Sequence, residues 1–538
     1  VSIDPTIPRS RTAGPAAPAG LSDAAVRGLA AVAALACLLP VAAVDVLPLH
    51  DLPNHLARVR MLAGLDAVPV FAEHYDRHSL VLPNVLSDLV LLALMQAADP
   101  MTAGRLLVGG IVAATVAGGA VLSRTAAGRW SAWTLLPALL AMHEFLMWGF
   151  LNYLLGLALL PWALAVWLAL DRRTGSRVAA GAAAGVILFL SHLVAFGLFA
   201  VAVAVLELRR AWLARADGLG AAAARTAVSA TAFAPAILLW ALSPSSGLPA
   251  DPLFAYDAWN KLAPYGRLLS TGNPALDDLA TAALVALPLL GLLSRRAALD
   301  PGLALVAGAW AGLALVLPYS AMGSYFLDSR IVVAAVLVLV CAVRPRPRPA
   351  PAAEGLVAAA VLAVVAVRAV GLAQEWRDEA AAVRPLLAAL GRLPPGSVVI
   401  SGTAFQFELG DYRQTRSRRP PEEHLAAYAV LAADAVVVNV FARPGQNPLA
   451  FAPAWPAMWH AGRNPIPRLR SPAERTGFAA EGARIAAEAR SAGRDVPVFV
   501  VGHGIACAAW PADAPVEPFA CDPGFSVMRA RPAEGAVR

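Results

Sequence analysis

The sequence predicts a mostly α-helical, polytopic membrane protein of about eleven transmembrane helices with juxtamembrane helices, ending in a small C-terminal α/β extracytoplasmic domain. Three observations carry that expectation. Hydrophobic residues make up 59% of the 538 and charged residues only 15%, against about 25% charged in soluble domains, and the mean hydropathy is +0.63. Between residues 28 and 371 the apolar residues fall in blocks of roughly 16 to 22, the length of a membrane helix. After 371 these blocks stop, and short apolar runs alternate with polar turns.

The first 25 residues are rich in Pro, Ala and Gly and read as a disordered cytoplasmic segment. The apolar run 28–44 ends in Asp45 and Pro48 without a small-residue cleavage site, so it reads as a retained signal anchor. Further apolar runs lie at about 104–122, 130–147, 150–170, 178–191, 192–206, 226–243, 277–294, 301–318, 329–344 and 352–371. Arg9, Arg11 and Arg27 put the N-terminus inside, and the clusters Arg124/Arg129, Arg172/Arg173/Arg177, Arg209/Arg210/Arg215/Arg225, Arg295/Arg296 and Arg344/Arg346/Arg348 belong in the cytoplasm as well. All of them reach that side on two conditions. Residues 82–98, interrupted by Asp88, must lie at the outer interface without crossing, and 178–206 must be a hairpin of two short helices turning at Ser191-His192. A rival arrangement, in which 82–98 crosses and 178–206 is one tilted helix, leaves Arg124/Arg129 and Arg172/Arg173/Arg177 outside. The first arrangement gives about eleven crossings with the C-terminus outside. The domains are then 1–25, a membrane domain 26–371 with an outer loop 45–103, and an outer domain 372–538.

In the outer domain an amphipathic helix opens at Gln374, 393–402 is a turn followed by a buried strand, and 424–433 is a helix. Strands follow at 435–440, 496–502 and 525–529, and 413–419 is a loop. Cys37 and Cys341 fall within spans as ordinary buried thiols. Cys507 and Cys521 lie in the tail, where an oxidising compartment permits a bridge. A single Lys, Lys261, among many Ala, Arg and Pro looks like a GC-rich bacterial bias. The pI of 9.6 therefore reflects topology-setting Arg and gives no sign of nucleic-acid binding.

Chemistry concentrates at 45–60, D-V-L-P-L-H-D-L-P-N-H-L-A-R-V-R, where the first helix leaves the bilayer. Pro53 suits the first turn of a new helix and puts Asp51 near its N-cap. Asp51, His55 and Arg58 then fall at i, i+4 and i+7, on one face. Six of the nine histidines, at 50, 55, 74, 78, 143 and 192, reach the outer side. A carboxylate there can take the proton of an acceptor hydroxyl, and cations can hold a departing phosphate. Asp51 is the candidate catalytic carboxylate, while Arg58, Arg60, Arg267 and Arg330 are outer cations and His192 a further phosphate contact. Helix capping explains Asp51, Asp328 and Arg330 as economically, and an aromatic belt explains Tyr256, Asp257, Trp259, Lys261 and Tyr265.

This layout resembles the GT-C class of membrane glycosyltransferases, which includes protein O-mannosyltransferases, aminoarabinose transferases and oligosaccharyltransferases. The shared features are a first helix ending in an acid, an outer loop with juxtamembrane helices, a helical hairpin, about eleven crossings and an outer C-terminal domain. The resemblance implies a polyprenyl-phosphate-linked sugar as donor and a glycan, lipid or protein hydroxyl as acceptor. It matches the essential loop acid to Asp51, with Asp45 a weaker match, and a second acid to Glu144 in M-H-E-F-L-M-W-G-F. Beside it, the residues themselves give His55, Arg58, His192 and Arg330 as the expected substrate contacts. The class's D-E doublet is replaced here by H-D-L-P-N-H, which points to a divergent branch in a bacterial inner membrane. No cofactor is required on this reading. A divalent metal held by His50, Asp51, His55, His74 and His78 is the minor alternative.

Two other classes compete. A transporter or lipid flippase calls for mid-span ionisable groups and related halves, whereas mid-span positions here are nearly all Ala, Leu, Val and Gly. A non-catalytic envelope scaffold calls for outer acids that tolerate replacement. No C-x-x-C, P-loop or G-x-G-x-x-G motif occurs, so nucleotide-driven transport has no support.

Overall fold

The computed structural model describes residues 21–215, 219–254, 258–346, 351–405, 421–458 and 466–532. The segment 1–20, the loop 413–419, Tyr256, Asp257 and Arg348 fall outside the described residues.

Among the described residues seven helices are long and apolar enough to cross a membrane: Asp23–Ala42, Pro100–Ala127, Leu151–Ala169, Thr174–Ser191, Gly220–Leu242, Pro274–Leu293 and Ala352–Leu390. Their starts carry local signals. Ser22 accepts the Ala25 N–H and Asp99 accepts the Thr102 N–H, each satisfying an otherwise orphan donor. Three further helices, Leu193–Leu213, Pro301–Val316 and Leu327–Cys341, stand among them. The run expected as a helix at 130–147 is instead a buried 3-10 segment, Ala132–Leu140, followed by the short helix Glu144–Trp148. Pro137 lies inside it, and a proline removes an α-helical donor and clashes with the preceding turn. The segment packs so closely that a Cβ on Gly119 would come within 2.4 Å of Pro137.

The segment at 86–94 and the hairpin at His192 have the local form that the first of the two arrangements requires. The helix at 86–94 has 9 residues, about 14 Å of rise and too short to cross. The hairpin turns at His192, which ends Thr174–Ser191 and caps Leu193–Leu213. Its helices, at 18 and 21 residues, are full-length, where short ones were expected. Connections rich in Arg meet one another. Arg129 pairs with Glu354, while Arg177, Arg210 and Arg225 gather on Asp171 and Glu207. The strands Ala297–Leu299 and Val343–Pro345 form an antiparallel pair.

The apolar run 352–371 and the amphipathic helix read from Gln374 are continuous with each other. Pro351–Leu390 is one helix of 40 residues, about 60 Å long and so twice the hydrocarbon thickness. It projects from the helical bundle and carries the tail. There a five-stranded sheet runs in the order Val436–Val437, Val398–Thr403, Val498–His503, Phe525–Ala530, Val516–Asp522. The first three are parallel and the last two antiparallel. Val398–Thr403 and Val498–His503 are buried along their whole length, as central parallel strands are. The helix Pro472–Ser491, absent from the sequence reading, packs on the sheet through Gly482 against Val500. Its capping box, Ser471 with Glu474, was the available signal. Cys507 and Cys521 are disulfide-bonded.

The tail is fixed to the outer loop by a second ribbon, in which Tyr75–Arg77 pairs antiparallel with Leu449–Phe451. The Tyr75 hydroxyl donates to the Val437 carbonyl at 3.0 Å. These bonds lay the tail over the end of the bundle where the outer loop sits.

Candidate active site

A cavity of about 740 Å³ opens between the bundle and the tail, well within the size of small-molecule sites. Asp51, His55, Arg58, His192 and Arg330 all line it. Glu144 does not: it is buried against Arg267, 2.8 Å away, and its N–H donates to the Leu268 carbonyl. The turn that holds Glu144 acts on the site through its backbone. His50 and Asp51 donate their N–H groups to the carbonyls of Met147 and Trp148, at 3.1 and 3.0 Å. Gly149 allows this approach, because it has φ +71 and a Cβ there would meet the Asp51 nitrogen at 3.1 Å.

Asp51 stands at the N-cap of Leu52–Gly64, with Pro53 in the first turn, but its side chain makes no capping bond. Its Oδ1 instead lies 3.5 Å from His424 Nε2 and 3.8 Å from His50 Nε2. The carboxylate is thus turned away from the helix start and towards the tail.

The four outer cations part company here. Arg60 pairs with Asp434 of the tail, and Arg267 with Glu144. Arg58 is completely buried and meets Asp88 twice, Nε to Oδ2 at 3.1 Å and Nη2 to Oδ1 at 2.7 Å. Its remaining donors reach His55 Nδ1 and the Phe441 carbonyl. Burial works to raise the Asp88 carboxyl, but Arg58 and His55 outweigh it and hold it below its ordinary range. Arg58 is therefore a strut joining the outer loop, the 86–94 helix and the tail, with its charge already matched. Since Arg58 donates to His55 Nδ1, the neutral His55 ring carries its proton on Nε2, and burial lowers its pKa.

Arg330 differs. Among the described residues no carboxylate pairs with it, although it is 7% exposed and stacks 4.5 Å over the Phe150 ring. Asp328, two residues earlier, is taken by Lys261 at 2.9 Å. Nη1 of Arg330 lies 2.7 Å from His192 Nε2. His192 Nδ1 lies 3.1 Å from the Val194 N–H, at the start of the following helix. Arg330 and His192 stand together in the cavity wall, and the Asp51 charge acts on Arg330.

The rest of the lining divides by chemistry. Trp148, Phe150, Tyr153 and Trp240 come from the bundle, whereas Glu423, His424, Asn439, Phe441, Gln446 and Arg468 come from the tail. Sequence reasoning assigned no site role to any tail residue, and nothing local marks them. The metal set read from the sequence does not assemble. His55 goes to Arg58, the His74 ring lies 5.0 Å from Trp455, and the residue at 78 pairs through its backbone with Pro448.

No protein-family model matches the chain, and no curated protein matches it. Among solved structures, the chain is similar to the crystal structure of ArnT from Cupriavidus metallidurans bound to undecaprenyl phosphate. That match has a TM-score of 0.54 and 13% identity over 95% of this chain and 98% of the other. The apo state of the same protein matches at 0.50, with 12% identity over 94% and 98%. The similarity spans bundle and tail together and shows that the two chains share a fold.

Proposed function

We propose that this protein is a membrane glycosyltransferase of the GT-C kind, moving a sugar from a polyprenyl-phosphate donor to an extracytoplasmic acceptor hydroxyl. The observation that carries the reading is the presence, in one cavity, of a carboxylate and of a buried cation that forms no ion pair with a carboxylate among the described residues. Arg330, with His192 beside it, takes the donor phosphate, holding the charge that grows as the phosphate leaves. Asp51 takes the proton of the acceptor hydroxyl as it attacks the sugar carbon from the opposite face, with inversion. The aromatic bundle side suits the apolar lead-in of a lipid, and the amide-rich tail side suits polyols. ArnT, with the same fold, was crystallised with undecaprenyl phosphate, which supports a polyprenyl phosphate as partner. The cavity end faces out of the cytoplasm on this reading, in keeping with the Cys507–Cys521 bridge and with Arg clusters at the other end.

The test compares glycan and glycolipid profiles of cells carrying the wild-type chain, Asp51→Asn or Glu144→Gln, at matched protein level. Asp51→Asn is expected to lower one glycan product by roughly 10²- to 10⁴-fold, the size of general-base effects. Glu144→Gln, remote from the cavity, is expected to retain it. An unchanged profile for Asp51→Asn would remove the mechanism and favour an envelope scaffold.

A further inference from the structure

Two consecutive residues in the first turn of the 86–94 helix, Ser87 and Asp88, are completely buried. Each holds a side chain from a different element. The Ser87 hydroxyl donates to Asn152 Oδ1, at the start of Leu151–Ala169. Asp88 accepts two bonds from Arg58, whose Nη2 donates in turn to His55 Nδ1 at 2.9 Å. Asn152 and His55 both line the cavity and are 8% and 5% exposed. With Oδ1 taken, Nδ2 is the polar atom that Asn152 has left, and it makes no hydrogen bond among the described residues. With Nδ1 taken, His55 has its Nε2–H left. We infer that Asn152 Nδ2 and His55 Nε2 form a pair of hydrogen-bond donors that bind oxygens of the transferred sugar, with Ser87 and Asp88 as the positioning residues behind them.

The connections put this pair between the two ends of the proposed reaction. His55 follows Asp51 by one turn of the same helix. Asn152 precedes Tyr153, whose hydroxyl donates to the Arg330 carbonyl at 2.6 Å. A sugar with its phosphate at Arg330 and its reacting carbon towards Asp51 lies across that interval. The inference rests on the proposed transfer reaction and names the class of sugar within it. Two fixed donors call for acceptor oxygens, and hydroxyl groups supply them. An ammonium group would bring a donor to donors, and Asp88, the acid behind them, is already matched by Arg58. The ligand class is therefore an uncharged sugar rich in hydroxyls. A buried residue behind each donor fixes its direction, which lets a site reject a sugar that lacks the matching oxygen.

The experiment titrates the full chain in detergent with bare polyprenyl phosphate and with polyprenyl phosphate bearing glucose, mannose, arabinose or glucosamine. Thermal unfolding checks the fold of each variant. In the wild type at least one of the uncharged sugars is expected to tighten binding over the bare lipid phosphate by roughly 10-fold, the size of two neutral hydrogen bonds. In Asn152→Leu that gain should shrink by roughly 3- to 10-fold, while affinity for the bare lipid phosphate holds. Ser87→Ala keeps Asn152 in the lining but releases its amide, and should show the same selective loss at smaller size. An Asn152→Leu chain that loses bare and sugar-bearing lipid in equal proportion overturns the assignment, because the residue then serves the phosphate or the packing. A glucosamine lipid bound more tightly than the glucose lipid overturns the sugar class. A wild-type chain that binds the bare lipid phosphate and gains nothing from any sugar overturns the donor pair and leaves the proposed function standing. That measurement decides the matter even where a variant fails to fold. A wild-type chain that binds none of these lipids removes the proposed function, and the donor pair with it.

Discussion

At the scale of the residue, the deciding fact is which buried charge lacks a matching one. Arg58 and Arg330 were both cation candidates at the cavity, and both line it. Arg58 is matched by Asp88, whereas Arg330 faces the imidazole of His192. Of the two, Arg330 is the one that forms no ion pair with a carboxylate among the described residues. Replacing Arg330 with Ala is expected to weaken binding of polyprenyl phosphate roughly 10- to 100-fold, the loss of charged hydrogen bonds. Lys at this position should recover part of that, because it keeps the charge but not the planar fork. Titrating a fluorescent polyprenyl phosphate into detergent-solubilised variants measures this, and equal affinity in all three would refute the assignment. Glu144 shows the opposite case. An acid in an apolar turn looked like a site because a membrane-embedded charge demands a reason, and the reason is Arg267, 123 residues away.

At the scale of the element, the Asp that interrupts the apolar run at 85–98 explains itself once its partner is known. Asp88 lies on a 9-residue helix that never crosses, and its contact with Arg58 fixes that helix to Leu52–Gly64. Breaking a buried pair leaves an uncompensated charge, so Asp88→Leu is expected to destabilise the protein by about 3–5 kcal/mol. Arg58→Met with Asp88→Leu should restore most of it, since the apolar pair leaves no charge stranded. Thermal unfolding of the single and double variants checks this, and a double variant as unstable as the single one would show that the strut does more than cancel charge. Helix boundaries were legible where they rest on local signals, as at Ser22 and Asp99. They were misread where a neighbour decides, as in the buried 3-10 segment at Pro137.

At the scale of the whole molecule, the tail is the second wall of the site, and its stability bears on function. His503 ends a central strand of the tail, and burial alone pushes its pKa down to about 4. The folded value lies below the unfolded one, about 6.5, so the unfolded chain binds the extra proton between them. The stabilisation is complete above pH 6.5 and is lost as pH falls towards 4, on the order of 2 kcal/mol by pH 5. His55 and His74, also lowered by burial, add to the same trend. Unfolding temperature should therefore drop as pH falls from 7 to 5, and less steeply in His503→Asn. An identical slope in that variant would show that other groups govern the acid limb.

The amino-acid sequence by itself determined the membrane character, the placing of most spans, the turn at His192, the non-crossing segment at 82–98 and the α/β character of the tail. Each of these follows from hydropathy, capping or charge within a few turns of chain. The same local logic brought Asp51, His55 and Arg58 to one face of one helix. Tertiary structure alone decided that Arg58 meets Asp88 and that Glu144 meets Arg267 away from the cavity. It also decided that Glu423, His424, Phe441 and Arg468 complete the cavity. Those outcomes depend on contacts between residues as much as 383 positions apart, such as Arg58 with the Phe441 carbonyl. No periodicity encodes such contacts, because they form only when the packed bundle and the folded sheet bring their surfaces together.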